Sequence, residues 1–300
     1  NAWPQISLIS RTPAVESVKS VAVFISPDFV VMAGAEGCEG LCYVAMPPDC
    51  EQVDELRILY EDCDLVALSK PSGMLVVPGR DRSEPSLRVW VGAYLARTGE
   101  TPFVVHRIDR GTSGVVLFAR NAAAHRRLSM SFENREVDKE YLAIVEGDPP
   151  VQGVLDMRLH TARRGRMRPA LPGEEGLDAV TEWAALERFG RYAFLRLRPL
   201  TGRQHQIRVQ LKAAGHPLAF DPVYGRKSPL TAESLKPGMG NDDRTVLART
   251  PLHAARITLD HPSGKGRLSV EAPLPADMDR ALRLLRGAET VTSGGHGDYS

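Results

Sequence analysis

The stretch His106-Arg107-Ile108-Asp109-Arg110-Gly111-Thr112-Ser113-Gly114 sets one acid between two arginines. Apolar runs bracket it, Phe103-Val104-Val105 before and Val115-Val116-Leu117-Phe118 after. Runs of that length suit strands buried in a core. The Thr-Ser-Gly at its end suits a tight connection. A fold that buries both runs therefore delivers Asp109 at a strand end beside fixed positive charge. That setting holds a carboxylate ionised, as a nucleophile or base must be. Taken alone, an Arg-Asp-Arg triplet is more often a surface ion pair at a strand end, of little energetic weight.

The chain has 300 residues, enough for one large domain or one domain with a small appendage. Hydrophobic content of 43% and charged content of 25% are ordinary for a globular protein with a full core. The net charge of +1 forecasts no polyanionic partner for the chain as a whole. No apolar run approaches the roughly twenty residues of a membrane span, and no secretory pattern opens the sequence. The four cysteines, Cys38, Cys42, Cys50 and Cys63, are bunched near the start. Their spacing fits no zinc pair and no histidine lies near, so buried free thiols, no metal and a reduced, cytoplasmic protein are expected.

Residues 1–53 differ from the rest. They hold short apolar runs (Val21 to Ile25, Phe29 to Met32), scattered glycines and the break Pro47-Pro48. From Leu56 the signal sharpens. Leu56 to Tyr60 and Leu65 to Ser69 read as strands joined by an acidic turn, and Lys70-Pro71-Ser72-Gly73 forces another turn. Ser86 to Arg97 has helical spacing. Asn121 suits the N-cap of a helix running to about Glu133 and carrying Leu128, Met130 and Phe132. Strands are expected at Lys139 to Val145, Tyr192 to Leu200, Leu252 to Leu259 and Arg267 to Val270. Helices are expected at Arg203 to Ala214, closed by Gly215, and at Asp279 to Leu285. Strands and helices mix without regular βαβ alternation, which points to an α+β fold. The organisation expected is an extension at 1–53, a main domain at 54–288 and a flexible tail at 289–300.

Four features carry chemistry. Ser113 lacks the flanking glycines of a serine nucleophile elbow, so Thr112 and Ser113 are read as shaping the turn that holds Asp109. In Thr201 to Arg208, a helix start rich in arginine, glutamine and histidine suits anions and nucleobase edges, or is a solvated polar face. Lys139 and Tyr141 share one strand face, where Tyr141 is either core or a stacking plate with a phenol. Arg158, Arg163, Arg164, Arg166 and Arg168 form a basic loop with His160 and no acid, which favours phosphate binding.

At these residues the chain resembles the RluA-type family of RNA pseudouridine synthases, over roughly Leu56 to Pro275. Ile58 to Asp62 with Lys70 to Gly73 resembles the opening block. His106 to Gly114 resembles the block of the nucleophilic aspartate, and Lys139-Glu140-Tyr141 that of the active-site tyrosine. Gly202 to Arg208, with Gly215-His216-Pro217 and Asp221 to Gly225, resembles the block with the basic partner. Leu252-His253-Ala254 with His261-Pro262 resembles the closing block. Two departures stand out: Ile108 replaces the usual leucine, and Gln210 stands where members often carry histidine, which bears on helix packing or RNA contact. Residues 1–53 lack the helix-rich basic pattern of the RNA-binding domain that many members carry upstream.

The resemblance implies a mixed, largely antiparallel central sheet with flanking helices and a catalytic cleft across it. It implies isomerisation of uridine to pseudouridine in folded RNA, ribosomal or transfer. No cofactor is expected, since redox balance is unchanged and no dinucleotide or Walker fingerprint is present. Asp109, Tyr141 and Arg208 are implied as catalytic. Whether Asp109 attacks the sugar, attacks the base or removes the ribose C2′ proton stays open. Arg107 would fill the gap left by the extruded base. His106, Arg110, Thr112, the five arginines of the basic loop, Arg203 and Gln204 are the further candidates for RNA contact, with His106 and Lys70 read as supports. A monomer without membrane association is expected. A non-catalytic RNA-binding module and an aspartate-dependent nucleoside hydrolase are the rival readings. Intact Asp109, Tyr141 and Arg208 count against the first, and the arginine loop against the second.

Overall fold

The computed structural model describes residues 56–79, 84–162, 165–236 and 244–287, with the backbone of three short strands before them. Those strands, β1 (Phe24–Ile25), β2 (Phe29–Val31) and β3 (Tyr43–Ala45), form a small antiparallel sheet. Cys38, Cys42, Cys50, Pro47-Pro48 and the tail lie outside the described residues. Cys63 is free and exposed, contrary to the buried thiol expected, because it sits in a turn between two strands.

The main sheet begins with β4 (Arg57–Glu61), β5 (Leu65–Lys70), β6 (Phe103–Val104) and β7 (Ser113–Ala119). It continues with β8 (Asp138–Glu146), β9 (Gln152–Thr161), β10 (Met167–Pro169), β11 (Leu177–Arg188) and β12 (Tyr192–Pro199). A two-stranded ribbon, β13 (Leu230–Thr231) and β14 (Thr245–Leu247), stands apart, and β15 (Leu252–Asp260) and β16 (Arg267–Glu271) rejoin the sheet. The helices are α1 (Leu87–Leu95), α2 (Ala122–Glu133), α3 (Gln206–Ala213), α4 (Ala232–Leu235) and α5 (Ala276–Leu285). The strand order is β10-β9-β11-β12-β8-β15-β7-β5-β4, with β16 on β15 and β6 on β7. This is the α+β, largely antiparallel architecture expected.

Alternation along β7 explains why it reads as one unbroken apolar run. Val116 and Phe118 face the cluster that holds Leu87, Trp90, Val91 and Leu95 of α1. Val115, Leu117 and Ala119 face the opposite cluster, with Ala124 and Leu128 of α2. A strand covered on both faces carries no polar alternation. Asn121 caps α2 as expected, its side chain accepting from the Ala124 N–H. Further along, Ile144 of β8 packs against α4 and α5, while Ala143 and Val145 face α3.

Three expectations change. The basic loop of residues 158–168 is a hairpin, β9 turning into β10 with Thr161 opposite Met167. Its inward positions Leu155 and Leu159 alternate with exposed Asp156 and Arg158, a period-two pattern hidden under the arginines. Second, α3 starts at Gln206 rather than Arg203, because His205 takes a left-handed φ of +53°. Third, residues 177–188, for which no element was expected, form strand β11.

Among the described residues, Asp62, Asp64 and His261 form a cluster of possible metal ligands. Its bonding is that of a cross-link between two turns. Asp62 Oδ1 accepts from the Asp64 and Leu65 N–H groups. Its Oδ2 lies 2.8 Å from His261 Nε2 and accepts from the Lys265 ammonium at 3.2 Å.

The parallel contact between β7 and β15 pairs Ser113 with His253 and Gly114 with Ala254. Gly114 has φ +115°, and a Cβ there would lie 2.2 Å from the Ala254 carbonyl oxygen. Only glycine permits this approach. Gly114→Ala should cost about 3 kcal/mol or more, from backbone strain plus a main-chain clash. Urea unfolding checks this, and a loss within the noise would show that the strands can part without penalty.

Candidate active site

The loop from β6 to β7 carries Asp109 to the edge of a cavity of about 300 Å³. The loop is held from behind by the turn that follows β5. Fully buried Lys70 donates to the carbonyls of Pro71, Met74 and Arg110 at 2.8, 2.8 and 3.1 Å. Ser72 Oγ donates to Gly111 O, and the Gly73 N–H donates to Arg110 O, both at 2.8 Å. Burial lowers the Lys70 pKa to about 7, against the pull of Asp109. The Thr112 N–H closes the loop onto Asp109 O at 3.1 Å. Ser113 Oγ bonds to His253 Nδ1 at 2.9 Å and accepts from Arg249 at 3.2 Å, so its role is with side chains rather than backbone.

Helix α3 supplies the cation opposite Asp109. Arg208 Nη1 donates to Asp109 Oδ2 at 3.2 Å. Its Nε and Nη2 both donate to Asp221, each at 2.8 Å. Asp221 also accepts from the N–H groups of Val223 and Tyr224. Arg208 is 7% exposed, Asp221 1% and Asp109 22%. Burial pulls the Arg208 pKa down, but the hydrogen bonds and charge of Asp221 and Asp109 raise it overall. Burial likewise pushes the Asp221 carboxyl up, and Arg208 with two backbone N–H groups outweighs it, so its pKa is lowered. The Tyr224 ring lies under the guanidinium, its centroid 5.1 Å from Cζ.

Strand β8 forms the floor. Lys139 and Tyr141 line the cavity from one strand face, as the alternation requires. Burial and then the Asp109 charge raise the Tyr141 pKa, so the phenol stays protonated at neutral pH. Arg107 is exposed and lines the cavity. Arg203 lines it too, with Nε donating to Asp178 O at 3.0 Å. Asp109 is the single acid among the lining residues, against Arg107, Lys139, Arg203 and Arg208.

Several candidates are placed differently from expectation. His106 accepts the Leu117 N–H on Nε2 at 3.0 Å and stacks on Phe132, and burial lowers its pKa to about 3. It lines the cavity as a support and has no nitrogen lone pair left for RNA. Arg110 turns away, donating to Gly73 O and pairing with Glu84 at 3.2 Å. Thr112 is buried in the cavity wall. Arg168 pairs with Glu174 through two bonds of 2.6 Å, and Arg158 lies 3.4 Å from Asp178. Acids that follow the hairpin in sequence, Glu174 and Asp178, therefore meet its arginines, leaving Arg166 exposed there. Arg163 and Arg164 lie outside the described residues. Gln204 is exposed and donates to Gly165 O at 3.3 Å.

The helix start does not form an open anion site. Gln206 Oε1 takes the Thr201 hydroxyl at 2.8 Å and the Arg203 N–H at 2.9 Å. Gln210, fully buried, accepts from Thr181 Oγ1 and donates to the carbonyls of Leu155 and Ala179. Its departure from histidine thus concerns packing. Asp221, Tyr224, His205 and Phe132 were not singled out from the sequence. The first three lay inside blocks whose order was legible, but nothing in spacing reveals a partner thirteen residues away.

Residues 64–213 match a family model described as RNA pseudouridylate synthase. Ribosomal large subunit pseudouridine synthase D of Neisseria meningitidis serogroup B is 30% identical over 291 residues, covering 92% of this chain and 75% of the relative. The protein of that name from Nitrosomonas europaea is 36% identical over 235 residues, covering 77% and 65%. The chain thus spans about two thirds to three quarters of these relatives. Among solved structures, human RNA pseudouridylate synthase domain containing 4 is similar, with a TM-score of 0.61 at 25% identity, covering 76% of this chain and 92% of that one.

Removing Asp221 would leave a buried guanidinium with one carboxylate where it had two. Asp221→Ala should destabilise the protein by about 3 kcal/mol or more, the usual cost of breaking a buried ion pair. Chemical denaturation measures this, and an unchanged midpoint would mean that Asp109 alone compensates Arg208.

Proposed function

Since this chain belongs to the RNA pseudouridylate synthase family, which converts uridine to pseudouridine within RNA, we propose that Asp109 is its catalytic carboxylate and that it works without a cofactor. The observation that carries the reading is the pairing of Asp109 with Arg208, itself locked by Asp221 at the wall of a cavity with a cationic rim. The reaction breaks the bond between uracil N1 and ribose C1′, turns the base and joins C5 to C1′. The C5 proton leaves and N1 gains one, so no electrons are exchanged. One anionic oxygen at the cavity serves each way of opening the glycosidic bond: attack on the sugar, attack on the base, or removal of the C2′ proton. Arg208 pairs with that carboxylate and orients it. Tyr141, protonated and largely enclosed, offers a flat apolar surface to the uracil rather than a base.

The names of the relatives make large-subunit ribosomal RNA the first substrate to test. The exposed cations Arg107 and Arg166, with Arg203 beside the cavity, support a phosphate-bearing substrate over a free nucleoside. A monomeric, cytoplasmic enzyme fits this reading.

Tritium release from C5-labelled uracil in RNA tests the central claim. Asp109→Asn should form no product while its RNA Kd stays within about threefold of the wild type. Product from that variant would remove Asp109 from the chemistry. Arg107→Ala should slow turnover of a stacked target uridine more than that of one opposite a mismatch, because extrusion of a paired base costs a few kcal/mol and a mismatch lowers the cost. Equal slowing of both would make Arg107 a phosphate contact instead.

A further inference from the structure

His205 lines the cavity with φ +53°, a conformation that costs a non-glycine residue about 1 kcal/mol or more. Hydrogen bonds on both sides hold it there. Gln204 is tied to Gly165 O of the arginine hairpin, and Gln206 to Thr201 and Arg203. The ring is fixed as well. Its Nδ1 lies 2.7 Å from Tyr224 Oη, and that oxygen accepts the Met167 N–H at 2.9 Å. With Met167 donating to Oη, the phenol hydrogen is directed to Nδ1. The neutral imidazole then carries its proton on Nε2. Burial lowers the His205 pKa, which favours the neutral ring, while Asp109 and Asp221 oppose this and Arg208 and Arg107 reinforce it.

Nε2 faces Asp109 Oδ1 at 4.0 Å. Arg208 engages the other oxygen, Oδ2. The gap is about 1 Å longer than a hydrogen bond, and catalytic contacts commonly tighten only when substrate is bound. We propose that His205 is a positioning residue for Asp109: its Nε2–H, aimed by Tyr224, closes on Oδ1 when RNA fills the cavity, so that both carboxylate oxygens are fixed. The inference rests on the reading of Asp109 as the catalytic acid. It also gives the arginine hairpin a structural link to the chemistry, since Gly165 and Met167 both brace the segment that presents the ring.

The test is the single-turnover rate at saturating RNA, beside the RNA Kd, on a transcript that the wild type modifies. His205→Ala should lose about 10- to 100-fold in rate with Kd within about twofold, as loss of a supporting contact to a reacting group does. His205→Gln, whose amide carries an N–H on a side chain of similar reach, should recover most of that rate. Tyr224→Phe removes the group that sets the tautomer and should slow turnover by about 3- to 10-fold. A His205→Ala rate within twofold of the wild type, an equal loss in Kd, or no recovery in His205→Gln would overturn the proposal. If His205→Ala does not fold, the other two variants decide. The proposal then requires His205→Gln within about threefold of the wild type and Tyr224→Phe slowed, and any other pairing overturns it. Failure of the Asp109 reading is distinct, since it appears as product from Asp109→Asn whatever the His205 variants do.

Discussion

The guanidinium of Arg208 is the point on which the cavity is built. A cation this deeply buried is tolerated only when its donors are matched. Asp221 takes two of them and Asp109 a third. Asp221 is in turn seated on the backbone of the segment that carries Tyr224, and Tyr224 reaches both His205 and the hairpin. One charge-compensation requirement thus joins helix α3, the β6–β7 loop, the segment after α3 and the β9–β10 hairpin. The matching is asymmetric. Asp221 is shielded by protein on every side, whereas Asp109 keeps part of its surface open to the cavity, the side where a substrate atom can approach.

Elements with a covered face were legible from the sequence, because burial writes itself into spacing. Strands β5 and β7 are buried throughout, carry unbroken apolar runs and are bounded by turn residues, and α2 opens on an asparagine that caps it. Strands β9 and β11 were not, because they are half exposed. Leu155 and Leu159 repeat at the right period, but Arg158 and the arginines after it dominate the local composition. In β11 most positions are polar or exposed, so little apolar alternation exists to find. The late start of α3 was hidden for another reason. Its helical propensity extends back to Arg203, and a side-chain network around Gln206, not propensity, turns His205 left-handed.

The site was legible in part. Asp109, Tyr141 and Arg208 meet at one cavity, as the order of their blocks implied. The electrostatics were harder to foresee. An arginine count treats each side chain as available, yet Arg158, Arg168 and Arg110 all face carboxylates brought in by folding. His106, adjacent to Arg107 in sequence, has its imidazole committed to the backbone of β7. Charge at the cavity is therefore decided by which cations lack a folded partner, and that is a property of tertiary structure.

The loop bearing Asp109 is clasped from beneath by Lys70, Ser72 and Gly73 before any ligand arrives. Its backbone therefore loses conformational freedom during folding rather than on encounter with RNA. On the reading proposed for Asp109, an acid presented ready-shaped leaves association energy for another purpose, the unstacking of a nucleotide from its neighbours. Rigidity at the rear of that loop would then support the base extrusion proposed at its front.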